Sequence, residues 1–128
     1  MDAAQALADL TEISSQIEAA VLFDESGNVQ GSTLDDETAA QALARAGVQL
    51  LDGVTKLRTE GEVTQLEAST ARGSVFVVRS GERRIAATTG PAPTVGLVFY
   101  DLKSCLRGVE NGATKPPRAR KRKTADEA

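Results

Sequence analysis

Apolar residues recur through residues 35–58 at the helical period of about 100° per residue, and they fill more of the circumference than one core requires. Leu43, Leu50, Val54 and Leu57 form one line with Ala39 and Ala46, and Ala40, Ala44, Gly47 and Leu51 form a second line beside it. Polar positions such as Gln41, Arg45, Gln49 and Asp52 are confined to about a third of the helix surface, whereas a helix on a single core needs an apolar stripe of only ~100°. The bulky line is expected to cover a sheet, and the small line to let another backbone come close. The pattern predicts a long helix, Asp35 to Arg58, held between its own sheet and a second surface. A twin helix in another copy of the chain is the expected neighbour, and a helix sunk in one deep core is the alternative.

The rest of the chain divides around this element. Residues 2–16 read as a first helix, with Leu7, Leu10, Ile13 and Ile17 in one sector. Glu18 to Asp24 is apolar at both alternating sets of positions, which predicts a central strand covered above and below. Asp24 to Asn28 is a turn, with Gly27 supplying positive φ, and Val29 to Ser32 is short enough for an edge strand. Thr33 to Asp36 has capping-box spacing for the long helix, and the acids there complement its dipole. After Gly61 come a half-polar strand from Glu62 to Ser69, a central strand from Ser74 to Arg79, and a fifth from Arg84 to Thr89. A proline-stiffened loop, with Thr94 as its cap, leads into a last helix from Val95 to Val109. Strands joined by tight turns make antiparallel hairpins, so the fold class is α+β, one five-stranded sheet with helices on its faces.

Charge divides the chain again. The net charge of the 128 residues is −3. From Asn111 onward there are six Lys and Arg against two acids, and residues 1–110 hold the other nine bases and sixteen acids. An acidic body lacks the basic face of a nucleic-acid-binding domain. Asn111 to Ala128 contains Gly112, Pro116 and Pro117 and a basic run with no side chain larger than alanine between its cations, so disorder is expected. The expected organisation is one domain, 1–110, and a basic tail, 111–128. Beyond solvation, the tail is open to an anionic membrane surface, nucleic acid or an acidic protein, and the absence of aromatics in it disfavours single strands. One cysteine excludes an internal disulfide and suits a reducing compartment. No signal-like or membrane-spanning run occurs, so a cytoplasmic protein is expected. The excess of Arg over Lys and the abundant Ala hint at a bacterial source.

Catalytic chemistry is sparse. The chain has no histidine, which removes the commonest general base and the Ser-His and Cys-His pairs. No phosphate-binding Gly-rich fingerprint occurs, so any nucleotide belongs to a partner. No catalytic, cofactor or metal residue is assigned, and the chain is read as not an enzyme. Cys105 falls on the core stripe of the last helix and reads as a small buried hydrophobe. Tyr100 and Leu97 fall off that stripe and are candidate exposed contacts. Arg72, Arg83 and Arg84 read as solvated hairpin tips, an arginine aimed at a partner's phosphate being the sharper alternative.

The hairpin Ala19-Ala20-Val21-Leu22-Phe23-Asp24 with Gly27, the long Ala/Leu helix after an acidic start, and three strands closing on Gly96-Leu97-Val98 and Leu102 together resemble the Roadblock/dynein light chain family. That family includes MglB-like regulators of small Ras-like GTPases. The resemblance covers nearly all of residues 3–110 and implies a Roadblock/profilin-like sandwich, with the long helix on one face of the sheet and two helices on the other. It also implies a homodimer in which the long helices lie side by side and the third strands pair. Carried over, the seam comprises Ala40, Ala44, Gly47 and Leu51 with Val63, Gln65 and Glu67. Partner contacts fall on the outer helix surface (Gln41, Arg45, Asp52) and on the tail (Arg118, Arg120, Lys121, Arg122, Lys123). The implied function is a non-catalytic adaptor that binds a small Ras-like GTPase and modulates its nucleotide cycle or localisation; a structural scaffold without a GTPase is the alternative.

Overall fold

The computed structural model describes residues 2–57, 61 and 63–114, the last five of these as helix backbone. Helix α1 (Ala3–Ile13) starts where Asp2 accepts a hydrogen bond from the Gln5 N–H at 2.8 Å. It stops short of the expected Gln16, because Ser14 is already extended. Ile17 therefore leaves the apolar sector of α1 and opens strand β1 (Ile17–Asp24). Ile13, expected to be covered, is 71 % exposed. Strand β2 (Val29–Ser32) follows the predicted turn, at which Gly27 has φ +89°.

Helix α2 (Glu37–Leu57) is capped by Asp36, which accepts from the Thr38 N–H at 3.0 Å. Thr33 does not take the capping role its spacing suggested. Its hydroxyl accepts from the Ala20 N–H at 2.9 Å and its own N–H donates to the Ala20 carbonyl, so it extends the β1–β2 pairing. Strands β3 (Gln65–Thr70), β4 (Gly73–Ser80) and β5 (Arg83–Thr89) form the second group of hairpins. Helix α3 (Val95–Thr114) runs past the expected end at Val109, through Asn111 and Gly112. One glycine costs a helix interior only about 1 kcal/mol, too little to end it. The tail residues Arg118 to Lys123 lie outside the described residues.

All pairings are antiparallel, and the strand order is β2-β1-β5-β4-β3. Because side chains alternate across a strand, the central strands feed two separate cores. Ala20, Leu22, Phe76, Val78 and Ile85 pack with α1 and α3, and the rings of Phe76 and Phe99 meet edge to face at 5.0 Å. Val21, Phe23, Val77 and Ala86 pack with α2 on the opposite face. One long helix on one face and two helices on the other is the expected sandwich.

The two lines of α2 are reversed relative to expectation. The small line, Ala40, Ala44, Gly47 and Leu51, is buried against the chain's own sheet. The bulky line, Leu43, Leu50 and Val54, is half-buried, and Leu57 is 81 % exposed. The reason is steric. A Cβ built on Gly47 falls 2.7 Å from Cζ of the fully buried Phe23 and 3.4 Å from the Ala86 Cβ, so only a bare backbone lets α2 settle over that ring. Gly47→Val is expected to lower unfolding free energy in urea by about 2 kcal/mol through overpacking. Gly53→Ala, whose new Cβ meets nothing within 4 Å, is expected to raise it by up to about 1 kcal/mol.

Candidate partner-binding surfaces

The rotation of α2 decides what it offers a partner. Gln41, Arg45 and Val48 line a cleft against the β1–β2 turn, so that flank of the helix faces the β2 edge. At 100° per residue, Leu43, Leu50 and Val54 lie on the opposite flank, toward β4 and β3. Packing of α2 falls chiefly on β5 and β1. The β3 side of this face therefore keeps Val63, Leu66 and Val75 only half-buried, at the margin of the core that also holds Leu43 and Leu50. Among the described residues, strand β3 pairs with β4 on one side only. An apolar shelf and an open strand edge thus lie next to each other.

The expected seam residues separate accordingly. Ala40, Ala44, Gly47 and Leu51 are buried against the chain's own sheet and are not available to a second helix. Val63 precedes β3, half-buried beside the shelf. Gln65 and Glu67 lie on the open strand, paired with Val78 and Phe76 of β4. The Glu67 carboxylate accepts from the hydroxyls of Ser69 at 2.7 Å and Ser74 at 3.0 Å, so it is held by its own sheet.

Of the expected partner contacts, the structure brings Gln41 and Arg45 together in a cleft of about 520 Å³, with Glu37 and the turn residues Ser26 and Asn28. Asp52 is exposed elsewhere on α2. The cleft wall is a stiff turn. Asp24 Oδ1 accepts from the N–H groups of Ser26 at 2.9 Å and Asn28 at 3.0 Å, and Asp24 Oδ2 accepts from Asn28 Nδ2 at 3.1 Å. These bonds, the Asn28 N–H first, hold the Asp24 carboxyl below its ordinary value, since they are made to the charged form.

Two single residues also settle. Arg84 is not a solvated tip. It is buried, and its Nη1 donates to the Glu82 carbonyl at 2.6 Å, closing the β4–β5 turn. Desolvation and the neighbouring Arg79 lower its pKa. Alternation alone could have suggested this, because Arg84 shares a face with Ala86 on a strand apolar on both sides. Cys105 is buried and its thiol reaches the Ala6 carbonyl at 3.6 Å. Burial, reinforced by Asp9, pushes its pKa up to about 11, so the thiol stays protonated and unreactive near neutrality. No helix among the described residues is long and apolar enough to cross a membrane.

No protein-family model matches the sequence, and no curated protein resembles it. Solved structures do match. A Roadblock/LC7 domain from Streptomyces avermitilis superposes with a TM-score of 0.79 at 18 % identity, over 90 % of this chain and 100 % of that one. The chain has the Roadblock/LC7 fold. MglB from Myxococcus xanthus shares it with a TM-score of 0.65 at 17 % identity, covering 91 % of this chain and 90 % of that one. Profilin II from Acanthamoeba castellanii matches with a TM-score of 0.55 at 11 % identity, over 76 % of this chain and 88 % of that one. The Roadblock sandwich expected from the sequence is the one observed, and at such identities the likeness is one of fold.

The turn at Asp24 makes a pH-dependent contribution. Its folded pKa lies below the ordinary 3.8, so its stabilisation is fully present above that value and is lost as pH falls below it. Asp24→Asn is expected to flatten the acid limb of the stability curve, measured by urea unfolding from about pH 5 to 2.

Proposed function

We propose that the chain is a homodimeric adaptor for a small Ras-like GTPase, a binding platform that modulates the GTPase's nucleotide cycle or location and carries no catalysis of its own. The observation that carries this reading is the apolar shelf of α2 beside the one-sided strand β3. Half-covered Leu43, Leu50 and Val54 and exposed Leu57 give a second copy an apolar strip to cover, and the β3 edge gives it backbone groups to pair with. A two-fold contact places the same elements of both copies against each other, so one operation can bury the strip and continue the sheet. The seam therefore moves from the small line of α2 to its bulky line, with Val63, Gln65 and Glu67 remaining the strand contribution. The fold shared with MglB and the sequence resemblance to MglB-like regulators support a GTPase as the partner.

In this reading, the cleft with Gln41 and Arg45, and Asp52 along the same helix, stays outside the seam and faces the GTPase. The basic tail, through Arg118, Arg120, Lys121, Arg122 and Lys123, adds attraction to an anionic membrane surface, about 1 kcal/mol per cation near it. The setting is cytoplasmic, where GTPase and nucleotide are found together.

Leu50→Glu and Leu57→Glu are expected to convert the dimer to a folded monomer, read by light scattering with circular dichroism as the control. An unchanged dimer mass would refute the seam. Ala44→Arg is expected instead to unfold the protomer, because it places a charge inside the core. Mixing the protein with GTPases encoded by neighbouring genes is expected to give co-elution and a changed rate of GTP hydrolysis. A stable dimer that leaves every such GTPase unbound would select the scaffold.

A further inference from the structure

On the face of the sheet opposite α2, helices α1 and α3 enclose a groove of about 260 Å³. Its walls are mainly apolar: Ala6, Leu10 and Ile13 from α1, and Tyr100 and Cys105 from α3. Two of these lining side chains are largely exposed, Ile13 at 71 % and Tyr100 at 63 %, and Leu97 elsewhere on α3 is 49 % exposed. Scattered exposed hydrophobes are ordinary. Here, however, Ile13 and Tyr100 flank a charged group that is not.

That group is Asp101. It lines the groove and is only 6 % exposed, and among the described residues nothing donates a hydrogen bond to its carboxylate. Two other polar groups of the groove are engaged: Asp9 Oδ1 accepts from Gln5 Nε2 at 3.0 Å, and Ser104 Oγ accepts from Arg107 Nη2 at 3.2 Å. A carboxylate shielded from water without a donor is strongly unfavourable, and folded proteins seldom keep one. Among the described residues no Lys or Arg pairs with Asp101, and the Arg107 guanidinium is bonded to Ser104 at the groove's edge. Residues 1–44 contain nine acids and no Lys or Arg, and Lys103 and Arg107 of α3 line a separate cleft with Thr64 and Ser80.

We propose that this groove docks a basic amphipathic segment of a partner protein. Bulky apolar side chains of that segment fill the space between Leu10, Ile13 and Tyr100, and a Lys or Arg pairs with Asp101, with Asp9 adding to the negative potential. Charge complementarity selects this occupant. A second copy in a two-fold contact would set like charges together, Asp9 and Asp101 against their own equivalents. The chain's own tail supplies cations but no apolar side chain larger than alanine between Arg118 and Lys123, so it would leave the apolar walls unfilled. The site is independent of the α2 seam, and a dimer would carry two of them.

Tyr100 is the sole tyrosine and the chain has no tryptophan, so tyrosine emission reports on the groove directly. The full chain is titrated with three synthetic helical peptides: an amphipathic Leu/Lys peptide, its Leu/Glu counterpart, and a Ser/Lys peptide of equal charge. The Leu/Lys peptide alone is expected to bind saturably and shift Tyr100 emission. Asp101→Asn is expected to weaken that binding by about ten-fold or more while raising the melting temperature, because it removes an uncompensated buried charge. Ile13→Ser, at an exposed position, is expected to weaken binding with the fold intact, and dimer mass and GTPase binding should not change in either variant. Equal binding of the Leu/Glu or Ser/Lys peptide, or full affinity in Asp101→Asn, would overturn the proposal. So would much tighter binding to a full-length variant carrying Arg118→Ser, Arg120→Ser and Arg122→Ser, since the tail would then be the occupant.

Discussion

The close approach of α2 to the ring of Phe23 is the constraint on which the rest of the molecule turns. Phe23 projects from β1 toward the helix, and only the bare backbone at Gly47 fits over it. With Ala40, Ala44 and Leu51 completing the contact, the helix lies low on β1 and β5. A helix seated by its small residues must carry its large ones on a flank. The half-covered shelf of Leu43, Leu50 and Val54 thus follows from the same fit that holds the protomer together.

The opposite face is built differently. Large side chains from α1 and α3, Leu7, Leu10, Leu102 and Leu106, close over Leu22, Phe76 and Ile85. Side-chain to backbone hydrogen bonds tie the helices to the fold: Gln16 Oε1 accepts from the Thr94 N–H at 2.6 Å at the start of α3, and the Cys105 thiol donates to the Ala6 carbonyl. Bulky packing and anchored helices bury most of this face, though Ile13, Leu97 and Tyr100 stay exposed. They leave a narrow groove with Asp101 set into it. The sheet therefore separates two surfaces of different chemistry, an extended apolar one beside an open strand and a compact groove between helices with carboxylates set in apolar walls. That separation is what the proposed platform requires, a twin on one side and a different protein on the other.

Stiffness is concentrated where those surfaces are framed. Asp24 organises the β1–β2 turn through donors from Ser26 and Asn28, and Arg84 closes the β4–β5 turn on the Glu82 carbonyl. Both groups work through charge-assisted hydrogen bonds, which are stronger than neutral ones.

What residue order determines alone is local. Apolar residues at both alternating sets of positions in residues 19–23 and 75–78 mark central strands, Gly27 marks a turn, and the helical period of residues 39–57 marks a long helix. These patterns survive into the structure because period and turn chemistry depend on adjacent residues. Tertiary structure decided the β1–β5 pairing that joins the two groups of hairpins, the burial of Arg84 and Asp101, and above all the rotation of α2 about its axis. Periodicity shows that Ala44 and Gly47 share a line and that Leu43 and Leu50 share another, but not which line meets the sheet. That choice depends on the shape of the opposing surface, a phenyl ring and an alanine methyl contributed by strands far away in the chain, and shape complementarity exists only once those strands have been brought together.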